Sequence, residues 1–358
     1  MRRPLTPLWL ATPSRFAGRS QTAARGALVV LVAALLATLA ALAVPASQID
    51  TAFYAGIVDS VRHGGNYYAV TADALRAGDY PLRPVLAFGL PTLAMVEAYL
   101  PSFAVTILLY ALAVAVATAW HARLKAAVRT VRAQWLATLL LLFALLPMLK
   151  PALIVVPEVW AGLFVALSLA VRRPGRWFDA VGFALAAALI RETAVVYMLM
   201  MLAFAWSEGA RRETIGWMVA IALVLAVFAA HVHAVAEVVK PLDATADPLA
   251  LLGVGLAVEA AASGTMLAFL PLWIAALLVG LALFGWAAWD DATGLRVLAL
   301  AIAVGALLAL FGRADTPHWA LLVAPLVLPG LVFAIDGLRD LWGAALDSRR
   351  ITVRRILR

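Results

Sequence analysis

Residues 26–46 contain no charged side chain, and runs of similar character recur to the C-terminal third of the chain, several bordered by arginine clusters that hold no acid. About 20 apolar residues is the length of helix that spans a bilayer, and only helices and closed barrels satisfy every backbone polar group there. The pattern predicts an all-α polytopic membrane protein. Composition agrees, because 65% hydrophobic against 13% charged residues leaves too few charges to cover a soluble surface of 358 residues. The net charge of +8 is then read as the positive-inside bias of a membrane protein, without a nucleic-acid partner. Cysteine is absent, which removes disulfides, thiol nucleophiles and Cys metal sites and leaves a divalent metal held by His and carboxylates open.

The basic clusters set the expected topology. Arg2, Arg3, Arg15, Arg19 and Arg25 precede the first run, which is read as a retained helix and not a cleaved signal. Arg123 to Arg132, Arg172 to Arg176, Arg211 with Arg212, and a tail beginning at Arg339 mark the same, cytoplasmic side. Only Arg62, Arg76, Arg83, Lys150, Lys240 and Arg313 fall on the other, with Arg191 at a join. About ten transmembrane helices result, in one transmembrane domain over 1–358. It has a first external loop over 47–101 carrying interfacial helices, an external segment over 236–263 and a basic cytoplasmic tail over 336–358 that suits anionic membrane lipids. Residues 178–206 read as two short helices joined at Arg191-Glu192, with one long tilted helix as the competing reading.

The longest polar interval between the first run and the apolar remainder is 47–84. Asn66 predicts a helix cap, with Gly78 ending the helix after Ala77. Asp50 closes the first span at a depth where a carboxylate can take a proton from a hydroxyl. Asp59 and His63, four apart, share a face if helical, but two ligands are too few for a metal site. Tyr67, Tyr68 and Arg83 complete the interval's candidate binding residues. Further on, Glu158, Arg191 and Glu192 are ionisable groups inside apolar runs, where charge is costly and needs a partner or a purpose. For Arg191 the alternatives are a site-lining role and a structural pairing such as one with Glu158. Arg313 and His318 flank a short loop before the last span, where cations can hold a phosphate.

Taken together, the first span and large loop, the stretch from Tyr67-Tyr68 to Ala77-Gly78-Asp79-Tyr80-Pro81, the Arg83-Pro84 exit, the paired short helices and Arg313 ahead of a last span containing Pro325 resemble the C-type (GT-C) superfamily of membrane glycosyltransferases. One departure is that His63-Gly64-Gly65-Asn66 stands where family members often carry an acidic pair. The resemblance implies an inverting transfer from a polyprenyl-phosphate sugar donor at the external face. Asp50, or else Asp59, would act as base and the cations would stabilise the departing lipid phosphate. The expected setting is a bacterial inner membrane with both termini cytoplasmic. Readings from other classes are a transporter or flippase of a lipid-linked or small polar substrate, and a non-catalytic membrane scaffold.

Overall fold

A computed structural model describes residues 6–44, 49–245, 253–313 and 316–346. These are helical throughout, with isolated backbone bridges and no strand among them. Helix α1 spans Gln21–Thr38, its first turn capped by the Ser20 hydroxyl, and continues as a 3-10 turn to Ala43. Three short helices follow, α2 (Thr51–Arg62), α3 (Tyr67–Ala77) and α4 (Thr92–Tyr99). Next come α5 (Ser102–Ala127), α6 (Val131–Leu145), α7 (Pro157–Val171), α8 (Phe178–Ile190), α9 (Val195–Ser207) and α10 (Arg211–Val238). The chain closes with α11 (Val254–Ser263), α12 (Leu272–Ala288), α13 (Ala292–Phe311), α14 (Ala324–Val327) and α15 (Gly330–Ala345).

Among the described residues, five helices are long and apolar enough to cross a membrane: α1 and α6 with their 3-10 extensions, α5, α10 and α13. About ten were expected. The other apolar helices are shorter because the chain interrupts them. Pro157 starts α7 at a position where its missing N–H costs nothing, and Arg191, in extended conformation, separates α8 from α9. Thirteen residues of helix reach only about 20 Å, against a hydrocarbon core of about 30 Å.

Helix α7 is the axis of the molecule. From Glu158 to Ala170 it is buried almost residue for residue, with α5 and α8 packed against it. Helices α8 and α9 form a hairpin. Ser168 near the end of α7 donates to the Ala180 carbonyl at the start of α8, and Arg172 just past α7 pairs with Glu208 just past α9. Both free ends of the hairpin therefore lie beside the end of α7, and the Arg191-Glu192 join is carried to its start. Of the two readings of 178–206, the pair of short helices is the one observed.

Helices α12 and α15 cross at glycine. A Cβ on Gly285 would stand 1.8 Å from the Gly330 carbonyl oxygen, so this approach needs a residue without a side chain. Trp286, Trp289 and Phe333 pack around the crossing, with Trp289 and Phe333 stacked 4.7 Å apart.

The basic loops gather at one end, which we term the arginine-rich end. There Arg172 forms two bonds to Glu213, of 3.0 and 2.9 Å, and one of 2.9 Å to Glu208, while Arg296 pairs with Glu208 and lies over the Phe204 ring. The N-terminal segment is strapped across this end. The backbone N–H groups of Leu8, Trp9 and Leu10 all donate to Asp336 on α15, at 2.7 to 2.8 Å, and the Ser14 hydroxyl donates to Asp340 at 2.7 Å.

The segment 236–263 was expected as an external polar interval. Its first residues extend α10, and residues 254–263 form the buried helix α11, packed on α12, α13 and the 3-10 turn after α1. Asp247, and the tail expected over 336–358 beyond residue 346, lie outside the described residues.

Candidate functional site

At the end opposite the arginine-rich one, the short helix α2 packs on α3 and α4, with α3 also against α10 and α4 against α8. Asp50 caps α2 by accepting the Phe53 N–H at 3.0 Å, and Asn66 caps α3 by accepting from Tyr68 and Ala69 at 3.0 and 3.2 Å. Helix α3 is tied down at its other end. Arg76 donates to both oxygens of Asp243 at 2.9 and 2.8 Å and to the Val238 carbonyl, and those bonds hold the Asp243 carboxyl well below the usual carboxylate range. Tyr68 and His231 on α10 form a third tie, hydroxyl to Nδ1 at 3.2 Å.

Beneath these helices lies a cavity of about 530 Å³. Its polar wall comprises Asp50, Tyr54, Tyr67, Tyr80, the Arg191-Glu192-Thr193 join, Arg313, Thr316 and His318. The remainder is apolar, supplied by α2, the 84–94 segment, α10 and α13. Leu225 on α10 and Phe311 on α13 line the cavity while remaining 56% and 44% exposed. Both helices pack on α9, so the cavity reaches the outer surface of the bundle between them.

Electrostatics concentrate at the join. Arg191 is buried and makes an ion pair of 2.5 Å with Glu158, which is wholly buried behind the wall, and one of 3.4 Å with Glu192 on the wall. His318 Nε2 approaches the same Glu158 oxygen at 3.5 Å. None of the four carboxylate oxygens, nor the Thr193 hydroxyl, accepts a hydrogen bond. Gly89 is required beside them: its φ of +62° suits glycine, and a Cβ would come within 2.8 Å of the Arg191 guanidinium. The Tyr67 hydroxyl donates to the carbonyls of Phe88 and Gly89, at 2.8 and 3.2 Å, which fixes this turn. Removal from water, followed by the Glu158 charge for Tyr54 and the Glu192 charge for Tyr67, pushes both phenols far above their ordinary range, so they stand as neutral donors.

Asp50 sits where two spaces meet. On its other side an open groove of about 640 Å³ runs between α2 and α3, lined by Gly56, Ser60, Asp73, Ala74 and Gly78. Asp50, Phe53 and Tyr80 belong to both, and the Tyr80 hydroxyl donates to Asp50 at 3.2 Å.

The structure thus brings Asp50, Tyr67, Arg191, Glu192, Arg313 and His318 to one cavity, with Glu158 directly behind. Asp59 and His63 are elsewhere. They pair with each other at 3.6 Å on the exposed side of α2, where Asp59 is 67% exposed, and line neither space. Arg83 is also off both walls, donating to the Lys240 carbonyl at 3.3 Å, and Tyr68 faces His231. Tyr54, Thr193 and Thr316 were not singled out in sequence, and Tyr80 only within the 77–81 stretch, although Tyr54 shares the α2 face of Ile57 and Val58, an apolar periodicity present in the residues themselves. Among the described residues, no three His, Asp or Glu side chains come together in a way that suits a shared metal ion. Compared with protein-family models, with curated proteins and with solved structures, the chain matches none.

Proposed function

We propose that the protein is an integral membrane glycosyltransferase that moves a sugar from a polyprenyl-phosphate donor to an acceptor hydroxyl, with Asp50 as general base. One observation carries the reading: a largely apolar cavity that reaches the bundle surface between two membrane-length helices, and an open groove that also carries Ser60 and Asp73, share a single carboxylate between them. A lipid donor enters such a cavity from the bilayer and a hydrophilic acceptor enters the groove, so the two substrates meet at Asp50. Arg313 and His318 on the cavity wall supply the charge and hydrogen bonds that receive the lipid phosphate as it departs. Asp59, paired with His63 outside both spaces, has no part in the reaction.

The polar end faces the outer leaflet and the arginine-rich end the cytoplasm, as the positive-inside bias favours. A transporter would need the arginine-rich end to open in turn. That end is closed by the buried Arg172, Glu213 and Arg296, with the half-exposed Glu208 bridging the two arginines, and by the N-terminal strap.

The test is transfer from a radiolabelled polyprenyl-phosphate sugar by the purified protein in lipid nanodiscs. Asp50→Asn is expected to lower turnover by about 10²–10⁴-fold with donor affinity retained, the range for loss of a general base, and Asp59→Asn to leave it unchanged. Undiminished transfer by Asp50→Asn would remove Asp50 as the base. Uptake of label into liposomes without a covalent product would replace the transferase reading with transport.

A further inference from the structure

We infer that the Arg191-Glu192-Thr193 join is a head-group subsite that selects a neutral or amino-bearing sugar and rejects an acidic one, with Glu192 as the residue that reads it. The inference rests on the transferase reading for its substrate, but it stands on separate residues from the proposed base.

Glu192 lines the cavity, its side chain is only 5% exposed, and neither of its oxygens accepts a hydrogen bond. The Thr193 hydroxyl beside it is likewise buried with no hydrogen-bond partner. A buried carboxylate left in this state costs more than a typical hydrogen bond contributes, and the cost is relieved by a ligand that brings donors. The ion pairing at the join does not relieve it. Arg191 lies 2.5 Å from Glu158 and 3.4 Å from Glu192, so one guanidinium faces two carboxyl groups and its closer partner is the one behind the wall.

The charge balance decides the ligand class. Sugar hydroxyls donate to a carboxylate, and an ammonium substituent adds a favourable charge. A uronic acid would set a third carboxylate beside the one guanidinium at the join, where Arg191 already faces Glu158 and Glu192 and the His318 ring is turned to Glu158. A phosphate meets the same repulsion at the join, which places the lipid phosphate toward Arg313 and the sugar ring toward Glu192. Tyr54 and Tyr67 on the same wall supply flat faces suited to a sugar ring.

The experiment measures equilibrium binding by the full-length protein in nanodiscs, in an Asp50→Asn background so that nothing turns over. The ligands are polyprenyl phosphate alone and the same lipid bearing a hexose, an amino-hexose or a hexuronic acid. The hexose and amino-hexose lipids are expected to bind about 10- to 100-fold more tightly than the bare lipid phosphate, as for hydrogen bonds to a charged group, and the hexuronic lipid no more tightly. Glu192→Ala is expected to abolish that gain while bare lipid phosphate binds at least as tightly, with one carboxylate fewer on the wall, which also shows that the variant is folded; its Arg191–Glu158 pair stays balanced. Glu192→Gln is expected to keep the hexose gain in part and lose the advantage of the amino-hexose. A hexuronic lipid bound as tightly as the hexose lipid, or a gain that survives in Glu192→Ala, overturns the inference and leaves the transferase reading standing. Failure of every polyprenyl-phosphate ligand to bind overturns both.

Discussion

Glu97 shows at the scale of one residue how burial controls chemistry in this chain. It sits on α4 facing α2, 3% exposed, with neither oxygen hydrogen-bonded, although Arg62 lies near enough to donate to its backbone carbonyl. Desolvation pushes its carboxyl up to about 8, with Arg62 partly opposing. The folded protein therefore holds a proton there that the unfolded chain releases near the usual carboxylate value. The stabilisation is complete below that value and is lost as pH rises through about 8. The thermal midpoint of the purified protein is expected to fall between about pH 5 and pH 9, and Glu97→Gln is expected to flatten that part of the profile. An unchanged slope in the variant would assign the dependence to another group.

The Arg191-Glu192 pair was partly legible at this scale. Two adjacent ionisable residues in an apolar run announce themselves, and pairing of Arg191 with Glu158 is one of the two readings their burial permits. The geometry joins those readings: Arg191 is paired to Glu158, and the join still lines the cavity. Their separate positions on the wall could not be read, because they depend on the extended backbone of Arg191, which breaks the helix there.

Among the elements, α3 was the most readable. Its cap, its body and its glycine stop all act within a few residues, so Asn66, Tyr67–Ala77 and Gly78 are local chemistry. Asn66→Ala is expected to cost about 1 kcal/mol, measured as a lower thermal midpoint, with the Arg76–Asp243 tie keeping the helix in place. Helix α4 and the buried α11 were harder. Neither has a strong terminal signal, and what makes them helices is the neighbours they pack on, which lie far away in sequence. The same reason explains why Arg83 was drawn toward the site. Its neighbour Pro84 lines the cavity, yet the Leu82 and Arg83 N–H groups both bond the Ala244 carbonyl and Arg83 points out toward Lys240.

For the whole molecule, charge asymmetry between the two ends was legible and the number of spans was not. Basic clusters free of acid report which loops lie together, and the observed contacts join them at one end. Span number depends on where helices stop, and Pro157 and Arg191 shorten several below membrane length. Closure of the arginine-rich end can be measured. Glu213→Ala leaves Arg172 buried without its bidentate partner, and loss of one member of a buried pair typically costs about 3–5 kcal/mol. Chemical-denaturant unfolding in detergent is expected to show that loss, while donor binding at the other end changes little in the fraction that remains folded.

The strap at that end also orders the protein's manufacture. Leu10 finds its hydrogen-bond acceptor on Asp336, 326 residues further along. A segment made well before α15 is thus left unsatisfied until α15 follows. Until α15 has been made, the backbone donors of Leu8 to Leu10 have no Asp336 to receive them, and docking of this segment becomes a mark that synthesis has passed α15. A nascent chain stopped before Asp336 is expected to expose its first residues to added protease, and the full-length protein to shield them.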